Sequence, residues 1–510
     1  MHSRKLQQND ARRGVITLSV MLATIMQALD TTIANVALPH VQGSMGTTQE
    51  QINWVLTSYV VAAAIFTPLT GFLASRFGRK RVLNWSIVGF TLTSMLCGAA
   101  QTLEQIVLFR VLQGIFGASL VPLSQSLLLD TYPKEKHGSA MAIWGIGVMV
   151  GPILGPTLGG WLTEYYSWRW VFYINLPFGV LAWLGLAASV KETTPDPTRK
   201  FDVLGFSLLA IAIGAFQIML DRGESLDWFS SPEILIEAFL AALCLYLFAV
   251  HTWTHHQPFI NPAIFTDRNF CVGLLFIFLV GIVLLATMAL LPPFMQNLMG
   301  YPVLDVGYVL APRGLGTMVA MMLVGRMINK VDPRPLIAAG LLLTSLSLWE
   351  MTLFTTDSST GDIIRTGITQ GFGLGLIFTP LTTISFSTLA PRFRNDGTAL
   401  FSLMRNVGSG IGISIVITYL GHRTQFNHEV FTSYLTPFNQ SLQQAVQAGV
   451  YHLGTPEGLM KLDREVTRQA STLAYLQDFR LMMFITLIAV PMTLLLRAPG
   501  RSAQPAPVMD

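Results

Sequence analysis

Fourteen predominantly apolar runs, most of them 18 to 26 residues long, divide the chain between residues 15 and 497. A helix rises 1.5 Å per residue and satisfies its own backbone, so runs of this length cross the roughly 30 Å hydrocarbon layer of a bilayer. They lie near 15–39, 51–74, 82–100, 105–130, 138–162, 169–190, 203–220, 232–251, 270–292, 303–325, 335–354, 362–388, 397–420 and 479–497. Only 12% of the 510 residues are charged, about half the usual share, which is too little to coat a soluble fold of this size. The sequence predicts an all-α integral membrane protein with 14 transmembrane helices. The first run is too long for a signal-peptide core and lacks a small-residue cleavage site, so a retained first helix is expected. Cys97, Cys244 and Cys271 show no metal spacing and read as small buried residues, with no metal or cofactor implied.

Orientation follows from the basic residues. With both termini cytoplasmic, 21 of the 32 Lys and Arg fall on inner segments, Lys134 and Lys136 among them. Six fall on outer segments and five inside the runs, a bias that sets topology. The net charge of +4 is small, and no nucleic-acid partner is expected. An internal echo then groups the spans. "GFLASRFGRKRVL" (71–83) closes the second span and "GRMINKVDPRPL" (325–336) the tenth, while "RVLQGIFGASLVPLS" (110–124) resembles "GITQGFGLGLIFTPLT" (367–382). Each half then has six spans, with the seventh and eighth left as an added central pair. The expected layout is a cytoplasmic tail at 1–14, an N-terminal bundle at 15–190 and a linker with the extra pair at 191–268. A C-terminal bundle at 269–497 and a tail at 498–510 complete it. Residues 421–477 read as a long outer connection, amphipathic in its later part from the spacing of Leu459, Leu462, Val466, Ala470, Leu473 and Leu476.

Five ordered motifs resemble the major facilitator superfamily, and within it the fourteen-span drug:proton antiporters of the EmrB/QacA type. They are "LDTTIANVALP" (29–39), "LFRVLQGIFGA" (108–118), "GPILGPTLGGWL" (151–162), "SWRWVFYINLPFG" (167–179) and "FQIMLDRGESLDWFSS" (216–231). The resemblance implies the major facilitator fold of two six-helix bundles plus two additional central spans. It further implies a proton-coupled multidrug efflux transporter in a bacterial inner membrane, not an enzyme, exporting hydrophobic or amphipathic toxic compounds by alternating access. The partners implied are small drug-like substrates and protons, with a periplasmic adaptor and an outer-membrane channel. The alternative is a proton-coupled transporter of one physiological solute, such as a siderophore or metabolite. One departure concerns the loop after span two, where Ser75 stands at the position the family usually fills with Asp.

Asp30 is the leading candidate for proton coupling. A charge near the centre of a spanning helix costs about 3 kcal/mol on insertion scales, and Asp30 lies roughly 22 Å in from the helix start. Thr31, Thr32 and Asn35 are the local groups available to hold it. Arg110, which keeps its charge, is the second candidate and requires an acid, a carbonyl or water as partner. The resemblance assigns it the role of biasing protonation of the acid. Gating or helix packing is expected at Arg76, Gly78 and Arg79 and along span five. There Gly147, Gly151, Gly155 and Gly159 form a smooth ridge interleaved with Pro152 and Pro156. The opposing ridge expected for it is Gly408 and Gly412 in span thirteen. Met26, Gln27, Gln113 and Arg405 are candidate cavity residues, and Arg313 falls at mid-span. His251, His255 and His256 cluster at a helix end and read as interfacial.

Overall fold

A computed structural model describes residues 2–133, 136–328, 330–436 and 438–497; Lys134 and the expected tail at 498–510 lie outside them. The regular structure of the described residues is all helix, with no strand among them. The first group comprises α1 (His2–Met45), α2 (Gln49–Phe66), α3 (Leu69–Phe77), α4 (Arg79–Ala99), α5 (Leu103–Gly117), α6 (Leu120–Thr131), α7 (His137–Tyr165), α8 (Trp170–Tyr173) and α9 (Asn175–Ser189). Next come α10 (Val203–Arg222) and α11 (Pro232–Thr254). The last group is α12 (Arg268–Pro293), α13 (Val303–Met327), α14 (Pro333–Met351), α15 (Thr360–Ser387), α16 (Arg394–Tyr434), α17 (Gln440–Gln447) and α18 (Pro456–Met492). Eleven helices among the described residues are long and apolar enough to cross a membrane, twelve when the bent pair α2–α3 counts as one. α14 and α15 have the length, but their Ser, Thr and Gln residues dilute the apolar character that marks the others.

Local chemistry explains the boundaries. Thr48 accepts the Gln51 N–H while the Gln51 side chain accepts the Thr48 N–H, a capping box that starts α2. Pro68 has no N–H to continue the ladder, and α3 leaves at 55° to α2. Gly78 then turns the chain into α4 with φ +93°, a conformation that disfavours any side chain.

Between helices in lipid there is little hydrophobic drive, so close backbone approach decides the contacts. The ridge of α7 packs against α1. A Cβ on Gly151 would lie 2.3 Å from the Ala28 carbonyl carbon, and one on Gly155 would lie 2.1 Å from the Thr32 hydroxyl. Pro152 and Pro156 lie within the same stretch of α7. Gly408 and Gly412 do not oppose this ridge. A Cβ on Gly408 would lie 2.2 Å from the Phe278 carbonyl oxygen of α12, and one on Gly412 would lie 2.6 Å from that of Ile282. Each ridge serves the first helix of its own group, so α1–α7 and α12–α16 are copies of one packing. The other face of α7 meets α13, where Gly314 and Gly307 admit Ile153 and Thr157.

The added pair ties the two groups together. α10 bonds α2 through Thr57 and Asp221, and it places Gln217 against Gly410 of α16. Trp228 donates to Thr418 of α16 at 3.0 Å. At the other end of the pair, Asp202 caps α10 and binds His251 of α11 at 2.9 Å. Burial pushes the Asp202 carboxyl up, but donors from Gly205, His251 and Phe259 outweigh it and hold it below the usual carboxylate range. The expected connection at 421–477 is mostly helix. α16 continues to Tyr434 and α18 begins at Pro456, and Asn427 donates to the Ala470 carbonyl at 3.2 Å, joining them as a hairpin. The amphipathic stretch is therefore the first part of α18 rather than a separate helix.

Candidate functional site

Asp30 is completely buried in α1, and its partners come from other helices rather than from its neighbours. α5 presents Arg110 and Gln113 three residues apart, hence on one face. Arg110 Nη1 donates to Asp30 Oδ2 at 2.7 Å and to Gln113 Oε1 at 2.8 Å. Gln113 Nε2 donates to Asp30 Oδ1 at 2.8 Å, and Asn175 Nδ2 from α9 adds a third donor at 3.2 Å. Every partner is a donor, the pattern of an ionised carboxylate. Thr31, Thr32 and Asn35 bond backbone carbonyls instead, Thr32 reaching Gly151 at 3.1 Å and so joining α1 to α7.

Arg110 is 1% exposed and does not reach toward a membrane surface. Its Nε donates to the Val55 carbonyl at 3.0 Å, and its guanidinium carbon sits 4.2 Å from the Tyr59 ring centre. Gly114 permits this, because a Cβ there would lie 2.5 Å from the Tyr59 carbonyl oxygen. Asn175 is anchored by Ser94 at 2.9 Å, and Cys97 donates to Gln113 at 3.5 Å. The result is a closed network linking α1, α2, α4, α5 and α9. Sequence reasoning missed Asn175, Tyr59 and Ser94. An amide inside the apolar run at 169–190 was the available signal for Asn175. Of the proposed cavity residues, Met26 is core and Gln113 is committed to Asp30. Gln27 donates to Tyr59 at 3.3 Å and Arg405 is half-buried.

The second half repeats the framework with different chemistry. Gln370 of α15, which the sequence echo matches to Gln113, donates to Thr287 of α12 at 3.3 Å. Gly367 takes the place corresponding to Arg110. Elsewhere in this half, Glu350 pairs with Arg365 at 3.7 Å. Asp478 of α18 is fully buried with both carboxylate oxygens unpartnered among the described residues. It falls just outside the apolar run at 479–497 and escaped notice for that reason.

A third constellation joins the two halves on the side that carries α3 and the 190–202 linker. Asp130 of α6 bridges Arg79 of α4 and Arg394 of α16. Ser126 donates to Asn395 at 2.9 Å, and Ser139 of α7 donates to the Gly325 carbonyl of α13 at 2.8 Å. Ser75 contributes no charge, and the linker supplies one. Arg199 donates to Ser75 at 3.1 Å and to both oxygens of Asp396 in α16 at 3.2 Å. Arg76 donates to the Arg199 carbonyl at 3.5 Å, and Gly78 leaves room for Glu192, whose carboxylate accepts the Lys80 and Arg81 N–H groups. Arg199 was not identifiable from sequence, because no local pattern marks a linker arginine for a distant helix. Asp202, His251 and His255 bring one ligand atom each within 4.8 Å of one another, but Asp202 is already spent on its cap and on Phe259.

The pattern of the Major Facilitator Superfamily matches residues 20–413. The chain belongs to that superfamily. Relatives within it are similar along nearly the whole length. The fatty acid resistance protein FarB of Neisseria gonorrhoeae is 36% identical over 493 residues, covering 96% of each chain. The multidrug export protein EmrB of Escherichia coli K12 is 38% identical over 435 residues, covering 85% of each. The superfamily fold is also shared with solved structures. The human organic anion transporter MFSD10 superposes with a TM-score of 0.58 at 14% identity, over 94% of this chain and 99% of that one. A bacterial homolog of the human lysosomal transporter Spinster gives 0.55 at 18%, over 96% and 99%. This superfamily member is a multi-pass membrane transporter with multidrug-export relatives.

Proposed function

We propose that this transporter is a proton-coupled exporter of hydrophobic and amphipathic toxic compounds, working by alternating access. The observation that carries the reading is the dry network around Asp30, in which one exchangeable carboxylate faces a permanent cation. In the pair as it stands the Asp30 carboxylate accepts from Arg110, Gln113 and Asn175. Protonation would remove the charge that Arg110 balances, and the guanidinium would fall back on Val55, Gln113 and the Tyr59 ring. That shift of a buried charge gives proton binding a way to favour one arrangement of α1, α5 and α9 over another. In our reading α14 and α15 complete fourteen spans, in two six-helix halves at 15–190 and 269–497, and the basic bias puts both termini in the cytoplasm of a bacterial inner membrane. The contacts of Asp130, Arg199 and Asp396 then close the cytoplasmic side. The α16–α18 hairpin projects outward, where a periplasmic adaptor leading to an outer-membrane channel would meet it.

The test is reconstitution into liposomes with a pH-sensitive dye inside. A neutral or cationic amphipathic drug should drive proton movement opposite to its own, and an imposed pH gradient should drive drug accumulation. Drug flux that ignores the gradient would remove the proposal.

A further inference from the structure

We infer that the groove between α3 and the 197–201 stretch of the linker is a binding site for an anionic phospholipid. The groove has a volume of about 870 Å³, within the range of sites that hold small molecules. One wall is a single face of α3, because Leu69, Phe72, Leu73 and Arg76 recur at the three- and four-residue spacing of a helix. The other wall is the linker from Pro197 to Phe201, and the Phe201 ring packs on Phe72 at 5.0 Å to close the floor. Along α3 the wall changes character over about 10 Å. It is apolar at Leu69 and Leu73, within the run at 51–74, and cationic at Arg76, just past the end of that run. A wall that passes from an apolar span to a charged rim suits an acyl chain and its headgroup.

The rim carries more positive charge than the protein balances. Arg76, Arg199 and Lys200 line it, and among the described residues no Asp or Glu does. Arg199 gives its charge to Asp396 at 3.2 Å. Arg76 donates only to the Arg199 carbonyl at 3.5 Å, and Lys200 is exposed with no ion pair among the described residues. The acids close by are committed elsewhere. Asp196 accepts from Thr198, Glu192 from the Lys80 and Arg81 N–H groups, and Asp202 from Gly205, His251 and Phe259. Asp130 bridges Arg79 and Arg394. Two cations therefore stand unbalanced at the mouth of an apolar groove. A phosphodiester places a negative charge between them, and the planar donors of Arg76 suit its two free oxygens. Its acyl chains would cover Leu69 and Leu73. A free phosphate offers the same charge but nothing for the apolar wall, and the experiment separates the two.

Binding is measured on the full chain in dodecyl maltoside micelles at one fixed ionic strength. The probes are phosphatidylglycerol, phosphatidylcholine with the same acyl chains, and inorganic phosphate. The wild type should favour phosphatidylglycerol over both others. Lys200→Gln and Arg76→Gln should each lower the phosphatidylglycerol-to-phosphatidylcholine affinity ratio about fivefold, the loss of one basic residue beside an anionic headgroup. Arg81→Gln should leave the ratio unchanged, because Arg81 lies outside the groove beside Glu192. The readout is a ratio within each variant, so a general loss of folded protein cancels. Should Arg76→Gln not fold, the exposed Lys200→Gln carries the test. Equal wild-type affinity for the two lipids would overturn the inference, as would a ratio unchanged in Lys200→Gln or Arg76→Gln. A fall in Arg81→Gln as large as in Lys200→Gln would reduce the effect to a general attraction of the basic surface and overturn the site. Inorganic phosphate binding as tightly as phosphatidylglycerol would assign the rim to a free ion and overturn the lipid.

Discussion

Removing one member of a buried ion pair costs far more than removing both, because the survivor is left charged in a dry site. Asp30 and Arg110 are buried to within 1% and meet at 2.7 Å, so Arg110→Ala should destabilise the protein by about 3–5 kcal/mol. Asp30→Ala with Arg110→Ala should cost less than the sum of the single changes, as a thermal-unfolding cycle in detergent would register. A simple sum would mean the two charges are not coupled. Asp30 and Arg110 were legible in the sequence, since each is an expensive residue in an apolar run. Their contact was not, because nothing local says that α1 and α5 face each other. Asn175 was visible only as an amide out of place. Arg199 was not visible at all, since a linker arginine costs nothing in water.

At the scale of helices, the glycine spacing in α7 announced a close contact but not its partner. The repeat invited a pairing with Gly408 and Gly412, whereas both ridges turn inward to their own first helices. The structure also grades the ridge. A Cβ at Gly147 meets only the Met21 side chain at 3.6 Å, an ordinary contact, while one at Gly151 strikes the Ala28 backbone. Gly147→Ala should therefore be tolerated, helped by a helix propensity gain of up to about 1 kcal/mol. Gly151→Ala should destabilise by about 1–3 kcal/mol through overpacking. Thermal unfolding of the two variants checks the order. Equal midpoints would show that α1 and α7 are not held at this distance. The 421–477 segment shows the converse limit. Its amphipathic spacing was legible, but polar helices that extend a span beyond the membrane look like loops to any reading based on apolar runs.

For the whole molecule, the sequence echo led to an expectation of two related halves, and the α1–α7 and α12–α16 contacts are alike in bringing glycines of one helix against the backbone of the other. The contacts of Asp130, Ser126 and Asp396 lie together on the side that carries α3 and the linker. A cysteine pair at Ser126 and Asn395, whose side chains meet at 2.9 Å, should cross-link on oxidation and stop transport, and reduction should restore it. Cross-linked protein that transports at the uncross-linked rate would show that this side need not open. Whether Asp30 carries the proton is tested directly by drug-driven pH change in proteoliposomes, comparing wild type with Asp30→Asn. Proton movement is expected in the wild type and none in the variant, even where the variant still binds drug. Proton movement at the wild-type rate in Asp30→Asn would contradict it.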